Sequence, residues 1–81
     1  MINSKTGNMN EQKISDLIII QLINELPEEF QEKINEFKEL VNLDNYRAAF
    51  NILDELKRIK GWAPSSKLLS YFERFWWEQA N

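Results

Sequence analysis

The sequence contains no cysteine and no histidine. Without cysteine the chain can form neither a disulfide framework nor a thiolate metal site, and without histidine it lacks the commonest general base and metal ligand. It also has no glycine-rich phosphate loop, calcium loop or nucleophile elbow. We therefore expect a protein that is not an enzyme, with no catalytic residue, no metal site and no cofactor.

The chain has fewer basic than acidic residues. Its 10 Lys and Arg and 13 Asp and Glu give a net charge of −3 and an isoelectric point near 4.9. Proteins that bind nucleic acid usually present a basic stripe. A helix-turn-helix interpretation of residues 46–77 would leave its second helix with only Lys67 and Arg74 as cations. We expect no direct contact with nucleic acid, and a basic protein as the partner.

Long hydrophobic runs are absent as well. The longest covers residues 17–20, whereas a membrane-spanning helix needs about 20 apolar residues. No apolar signal segment follows the polar start of the chain, so we expect a cytoplasmic protein without membrane contact. Residues 1–10 are predicted to be a disordered leader, and residues 11–81 a single helical domain.

Glycine and proline occur only twice each, too rarely for the frequent turns of a β-sandwich or barrel. Apolar residues instead recur at helical spacing in four segments, each bounded by helix start or stop signals. The predicted fold is all-α, a compact antiparallel bundle of about four short helices. The predicted helices cover residues 11–26, 27–43, 46–60 and about 65 to the C-terminus.

Polar residues and one glycine predict the helix ends. Asp44 or Asn45 can cap the third helix, and Ser65 or Ser66 can cap the fourth. Gly61 can adopt the left-handed conformation that commonly ends a helix, so we expect it to end the third one.

The distribution of apolar residues predicts which surfaces are buried. The first helix is apolar nearly all round, with Ile19 and Ile23 on its inner arc, and is expected to be deeply buried. The last helix is expected to bury a wide face that includes Leu69 and Trp76. Trp62 is expected to fold back over the end of the third helix as a structural lid.

The second predicted helix carries an almost purely anionic surface, which we call the acidic face. Glu25 belongs to it only if the helical path continues through Pro27. The face is either an ordinary solvated surface or a docking surface for a cationic partner. The spacing is unusual because glutamates four residues apart repel each other, and the helix's two lysines lie off this ladder. Its members are Glu28, Glu29, Glu32, Glu36 and Glu39.

Trp77 is a second candidate for partner binding. On a helical wheel it projects about 180° from Leu68, among polar residues rather than with the core aromatics. It is either an exposed binding hot spot or a ring that a tilt of the last helix buries against the bundle.

Residues 26–76 resemble the small MafI-type immunity proteins of bacterial polymorphic toxin systems. The resemblance lies in the stretch LPEEFQEKINEFKELVNLDNYRAAFNILDELKRIK, a short linker and an aromatic C-terminal helix. It rests mainly on the turn from Leu43 to Tyr46 and the following helix from Ala48 to Leu56.

The resemblance implies a protein that binds and neutralises a cognate toxin in the cytoplasm, often a nuclease such as a ribonuclease. The charge pattern agrees with such a role, because an acidic helix can occupy a cationic substrate groove. Such a protein is expected to be a monomer or a weak homodimer. The alternative is a homo-oligomeric or adaptor helical module in which Trp77 and the C-terminal aromatics form the interface.

Overall fold

The computed structural model describes residues 13–80 and consists of helices joined by short connections. About 79% of these residues are helical, and none of them lies in a strand. The predicted all-α bundle of four helices is therefore confirmed. The four are α1 (Ile14–Glu25), α2 (Gln31–Asn42), α3 (Tyr46–Lys57) and α4 (Ser66–Ala80), with a short 3-10 helix (Glu28–Phe30) before α2. The predicted leader, residues 1–10, lies outside the described residues.

Neighbouring helices run antiparallel, as contacts between opposite helix ends show. Near the start of α2, Lys33 Nζ lies 2.7 Å from Glu55 Oε1 near the end of α3. At the end of α1, Glu25 Oε1 accepts a hydrogen bond of 3.0 Å from the backbone N–H of Ser65, just before α4. Since α1 also packs against α2, the order around the bundle is α1, α2, α3, α4.

All four helices contribute to one hydrophobic core. Phe75 lies at its centre and makes edge-on contacts with Phe37, Phe50 and Tyr46, with ring centroids 5.6, 5.1 and 6.1 Å apart. The contact between Phe37 and Phe75 joins α2 to α4 diagonally across the bundle. The buried apolar residues are Ile14, Ile18, Leu22, Leu26, Ile34, Phe37, Ala49, Ile52, Leu53, Leu56, Leu68, Phe72 and Phe75.

The prediction that α1 is buried nearly all round is wrong. Its fully buried apolar positions form one narrow stripe with a spacing of four residues, from Ile14 to Leu26. Ile20 and Ile23 are about half exposed, and Ile19 is only partly buried. The physical reason is that α1 occupies a corner of the bundle with neighbours on two sides, α2 and α4, so its remaining surface faces solvent.

The second predicted helix does not begin as an α-helix at Pro27. Pro27 has an extended backbone and precedes the 3-10 helix, and the α-helix starts only at Gln31 after Phe30 leaves the helical region with ψ near 7°. The helical path is therefore interrupted, and Glu25 does not join the acidic face. Its carboxylate instead accepts hydrogen bonds from Gln21 of its own helix and from Ser65.

The turn between α2 and α3 is a Schellman motif with Asp44 in the left-handed position. Its φ is 59°, and hydrogen bonds of 3.0 and 2.8 Å run from the N–H groups of Asp44 and Asn45 to the carbonyls of Val41 and Leu40. Of the two predicted caps of α3, Asn45 is the one used, because its Oδ1 accepts from the N–H of Ala48 at 3.4 Å.

Helix α3 ends at Lys57, three residues earlier than the position of Gly61 predicts. Gly61 does have a positive φ, 84°, but it lies in a separate β-turn closed by a 3.3 Å hydrogen bond from the N–H of Trp62 to the carbonyl of Ile59. A positive φ at the third position is typical of a type II turn. Trp62 is partly buried and packs against the core.

Ser65 caps α4, since its Oγ accepts a 3.1 Å hydrogen bond from the N–H of Leu68. The same hydroxyl donates to Glu25 Oε2, which links the cap to the end of α1.

The predicted burial of Leu69 and Trp76 on α4 is wrong, because these side chains are 45% and 51% exposed. The core of the bundle accepts only the narrower stripe of Leu68, Phe72 and Phe75, and the two flanking side chains remain at its edge.

Candidate partner-binding surfaces

All five glutamates of the acidic face are exposed in the structure. Glu32, Glu36 and Glu39 lie on the outward side of α2, opposite the buried Ile34 and Phe37. Glu28 and Glu29 belong to the 3-10 helix that leads into α2, so they precede the ladder rather than continue it.

One cation reaches the edge of the acidic face. Lys33 Nζ lies 3.7 Å from Glu36 Oε1 as well as 2.7 Å from Glu55, so the idea that the helix's lysines avoid the ladder is only partly right. The hydrogen bond to Glu55 raises the pKa of Lys33; burial, the next largest effect, opposes this rise, and the nearby charges of Glu55 and Glu36 add to it. Glu36 is therefore partly compensated.

The other members of the acidic face form no ion pair with the described part of the chain. Between Glu32 and Glu39 the α-helix rises about 10 Å, at about 1.5 Å per residue. With Glu28 and Glu29 added at the N-terminal end, the surface presents a row of uncompensated carboxylates. Such a row attracts a complementary cationic surface.

Trp77, whose burial the sequence left open, is 55% exposed. Its ring meets that of Trp76 edge-on, with centroids 5.3 Å apart. The pair therefore forms a large aromatic surface near the end of α4. Trp76 lies at the flank of the predicted apolar face, one residue before Trp77, and this position is the sequence signal for its exposure.

The two tryptophans belong to an open groove between α3 and α4, which we call the aromatic groove. Its volume is about 600 Å³, within the range of small-molecule and peptide-binding clefts. Sequence reasoning missed this groove, because it depends on how far apart α3 and α4 stand. Its apolar lining comprises Phe50, Leu53, Leu69, Phe72, Trp76 and Trp77.

Positively and negatively charged side chains both line the aromatic groove. Lys57 Nζ lies 3.9 Å from Asp54 Oδ1 and 5.8 Å from the centre of the Phe72 ring, a cation–π contact. Glu73 of α4 is exposed and also lines the groove. The groove therefore differs from the acidic face, which is negative along its length.

The structure does not bring the acidic face and Trp77 together. The acidic face belongs to α2 and the turn before it, whereas the aromatic groove lies between α3 and α4. Because α2 and α4 are diagonal in the bundle, their outward sides point in different directions. The candidate residues thus form two separate surfaces rather than one site.

A second, more polar cavity of about 360 Å³ is lined by Asp16, Asp44, Tyr46 and Glu78, among other residues. Within residues 13–79 there is no group of three or more side chains placed to hold a metal ion. Among the described helices, none has both the length and the apolar character needed to cross a membrane.

Comparisons with protein-family models, with curated proteins and with solved structures give no match to this chain.

Proposed function

We propose that this protein is an immunity protein, which binds a cognate bacterial toxin in the cytoplasm and neutralises it through the acidic face. The observation that carries the proposal is the row of exposed carboxylates on α2, most of them without an ion pair in the described chain. The resemblance of residues 26–76 to MafI-type immunity proteins supports the same conclusion.

The proposed toxin is a basic nuclease domain, such as a ribonuclease. A ribonuclease needs cationic side chains to hold the phosphates of its substrate, and a row of carboxylates on a rigid helix can occupy those positions. Long-range attraction between the two surfaces also speeds association. Inhibition is then steric and electrostatic, and the immunity protein performs no chemical step.

The test reverses charges that have no ion-pair partner among the described residues. Glu36 is a poor choice because of its contact with Lys33, so the variant combines Glu32→Lys with Glu39→Lys. Like-charge contacts at an interface cost several kcal/mol, so we expect the affinity for the toxin to fall by about 100-fold or more. Stability should change by less than about 0.5 kcal/mol, because both positions are exposed.

A control changes the net charge equally outside the acidic face, with Asp16→Lys and Glu78→Lys, both exposed; because Glu78 lies 3.7 Å from Arg74, the thermal midpoint of this control is measured as well. The probe is the toxin domain encoded by the gene directly upstream, co-expressed with each variant in a protection assay and titrated in vitro. Loss of protection with the acidic-face variant alone supports the proposal. Equal protection by both variants, with unchanged affinity, would contradict it, as would the lack of a toxin gene beside this one.

A further inference from the structure

The aromatic groove exposes more apolar surface than the bundle itself requires. Leu69, Trp76 and Trp77 are each about half exposed, and all three lie along one side of α4. Exposed apolar residues that are scattered singly are ordinary, but a contiguous aromatic patch beside a groove marks an interaction surface. This surface is separate from the acidic face.

The groove has the dimensions of a helix-binding site. Its α3 wall runs from Phe50 to Lys57 and its α4 wall from Leu69 to Trp77, so each wall is about two helical turns long, or roughly 10 to 12 Å. Grooves of this kind bind amphipathic helices whose anchor residues are spaced three, four and seven positions apart.

Helix α4 itself carries such an anchor pattern. Leu69 and Trp76 are seven residues apart, on an exposed stripe next to the buried one, and both also line the groove. Helix α4 therefore supplies one wall of the groove and also an apolar stripe with the spacing of helix anchors. This combination allows a two-fold symmetric contact, in which each copy contributes the same patch.

We propose that the aromatic groove binds a second copy of this chain, with α4 of each copy lying in the groove of the other. In this arrangement Trp76 of one copy fills the groove of the second, and Lys57 of one copy faces Glu73 of the other. The two charge pairs are equivalent by symmetry.

The mixed charges of the groove argue for a second copy as its occupant. A strongly basic partner suits the acidic face, where Lys33 is the one cation that forms an ion pair within the described chain, whereas Lys57, Asp54 and Glu73 all line the groove. A patch with both signs is complementary to itself when rotated by 180°.

The exposed aromatic area limits the strength of the dimer. An aromatic side chain buries about 150 to 250 Å², so two half-exposed tryptophans offer on the order of 200 Å² per copy, against about 800 Å² per partner in a standard interface. We therefore expect only a weak dimer, which forms at high protein concentration.

Sedimentation equilibrium of the full chain tests the proposal between about 5 and 500 µM. The apparent mass should rise from 9.7 kDa toward twice that value. Trp76→Ala should weaken dimerisation at least tenfold, because large central aromatics dominate interfaces, while circular dichroism and the thermal midpoint stay at wild-type values.

Charge exchange between two variants then identifies the interface. Glu73→Lys alone and Lys57→Glu alone should each remain monomeric, because each creates like-charge contacts at both symmetric positions. An equimolar mixture of the two should dimerise again, which a role of either residue within its own chain does not explain. Arg58→Glu is the matched control for Lys57→Glu, since it makes the same charge change one residue later and outside the groove.

Three outcomes would overturn the proposal. The first is a wild-type protein that stays monomeric up to 500 µM, including one whose groove instead binds a helix of another protein. The second is a dimer that Trp76→Ala leaves unchanged. The third is a mixture of the two charge variants that remains monomeric.

Discussion

At the scale of single residues, Asp44 is the clearest case of a side chain in an unfavourable backbone conformation. Its φ of 59° lies in the left-handed region, where a Cβ atom costs about 1 to 2 kcal/mol, less for Asp than for most residues. A hydrogen bond of 3.0 Å from Tyr46 Oη to Asp44 Oδ1 offsets part of this cost and raises the pKa of Tyr46.

We expect Asp44→Gly to be neutral or to stabilise the fold by up to about 1 kcal/mol, whereas Asp44→Ala destabilises it by about 1 kcal/mol. Urea unfolding followed by circular dichroism measures both. Asn51, exposed within α3, is the control, because there Ala should be better than Gly by about 1 kcal/mol. If the glycine variant were more stable than the alanine variant at both positions, or less stable at both, the proposed role of the left-handed turn would be contradicted.

Glu25 gives the fold a predictable dependence on pH. Burial tends to raise the pKa of its carboxyl group, but hydrogen bonds from Ser65 and Gln21 outweigh this and lower the pKa below 4.5. A carboxyl group whose pKa is lower in the folded state stabilises the fold above the unfolded value, and this contribution is lost as the pH falls through the folded pKa.

We therefore expect Glu25→Gln to cost about 1 kcal/mol at pH 7, because an amide nitrogen cannot accept the hydrogen bonds that Glu25 Oε2 accepts. The difference from wild type should shrink below pH 4. Unfolding in urea at pH 7 and pH 3 measures it. Glu29→Gln, at an exposed carboxylate without a hydrogen bond in the described chain, should show no comparable difference at either pH.

At the scale of helices, the sequence predicts which segments are helical better than it predicts where they end and how deeply they are buried. The periodicity of α2 and the capping role of Asn45 are local properties, and the structure confirms both. The end of α3 depends on where the linker must turn to reach α4, so Gly61 alone could not locate it.

Burial is harder to predict because it depends on neighbours. The run of isoleucines in α1 predicts an apolar helix, but not that its main neighbours among the described helices are α2 and α4 on two sides. The acidic face could be predicted, since charged residues opposite an apolar stripe face solvent. The aromatic groove could not, because its walls belong to two helices whose spacing the sequence does not specify.

The narrow buried stripe of α1 makes a direct prediction. Ile18 is fully buried and Ile23 is 48% exposed, so the same substitution by alanine should have different effects within one helix. Ile18→Ala should destabilise the fold by about 2 to 4 kcal/mol through the cavity it leaves. Ile23→Ala should cost less than about 1 kcal/mol, because alanine is the better helix former. Comparable losses for both variants in urea unfolding would mean that α1 is buried on both sides.

At the scale of the whole molecule, the two proposed surfaces differ in charge and in position. The acidic face carries negative charge on α2 and the 3-10 helix before it, which Lys33 compensates only at Glu36, whereas the aromatic groove combines apolar surface with charges of both signs between α3 and α4. The two surfaces share no residues, so the proposed toxin and the proposed second copy do not compete for the same side chains. One molecule could then bind a toxin and a second copy of itself together.

Salt should separate these two associations. Raising NaCl from 50 to 500 mM shortens the screening length from about 14 to about 4 Å, so the proposed toxin complex should weaken by at least tenfold. The proposed dimer should change by less than about threefold. Salt weakens its Lys57–Glu73 pairs, but it also screens the repulsion between two chains of net charge −3 and does not weaken apolar contacts. Titration calorimetry for the toxin complex and sedimentation equilibrium for the dimer, each at both salt concentrations, measure the two effects.

A toxin complex insensitive to salt would show that apolar contacts rather than the acidic face hold it. A dimer that dissociates in high salt would show that its charge pairs outweigh its aromatic anchors.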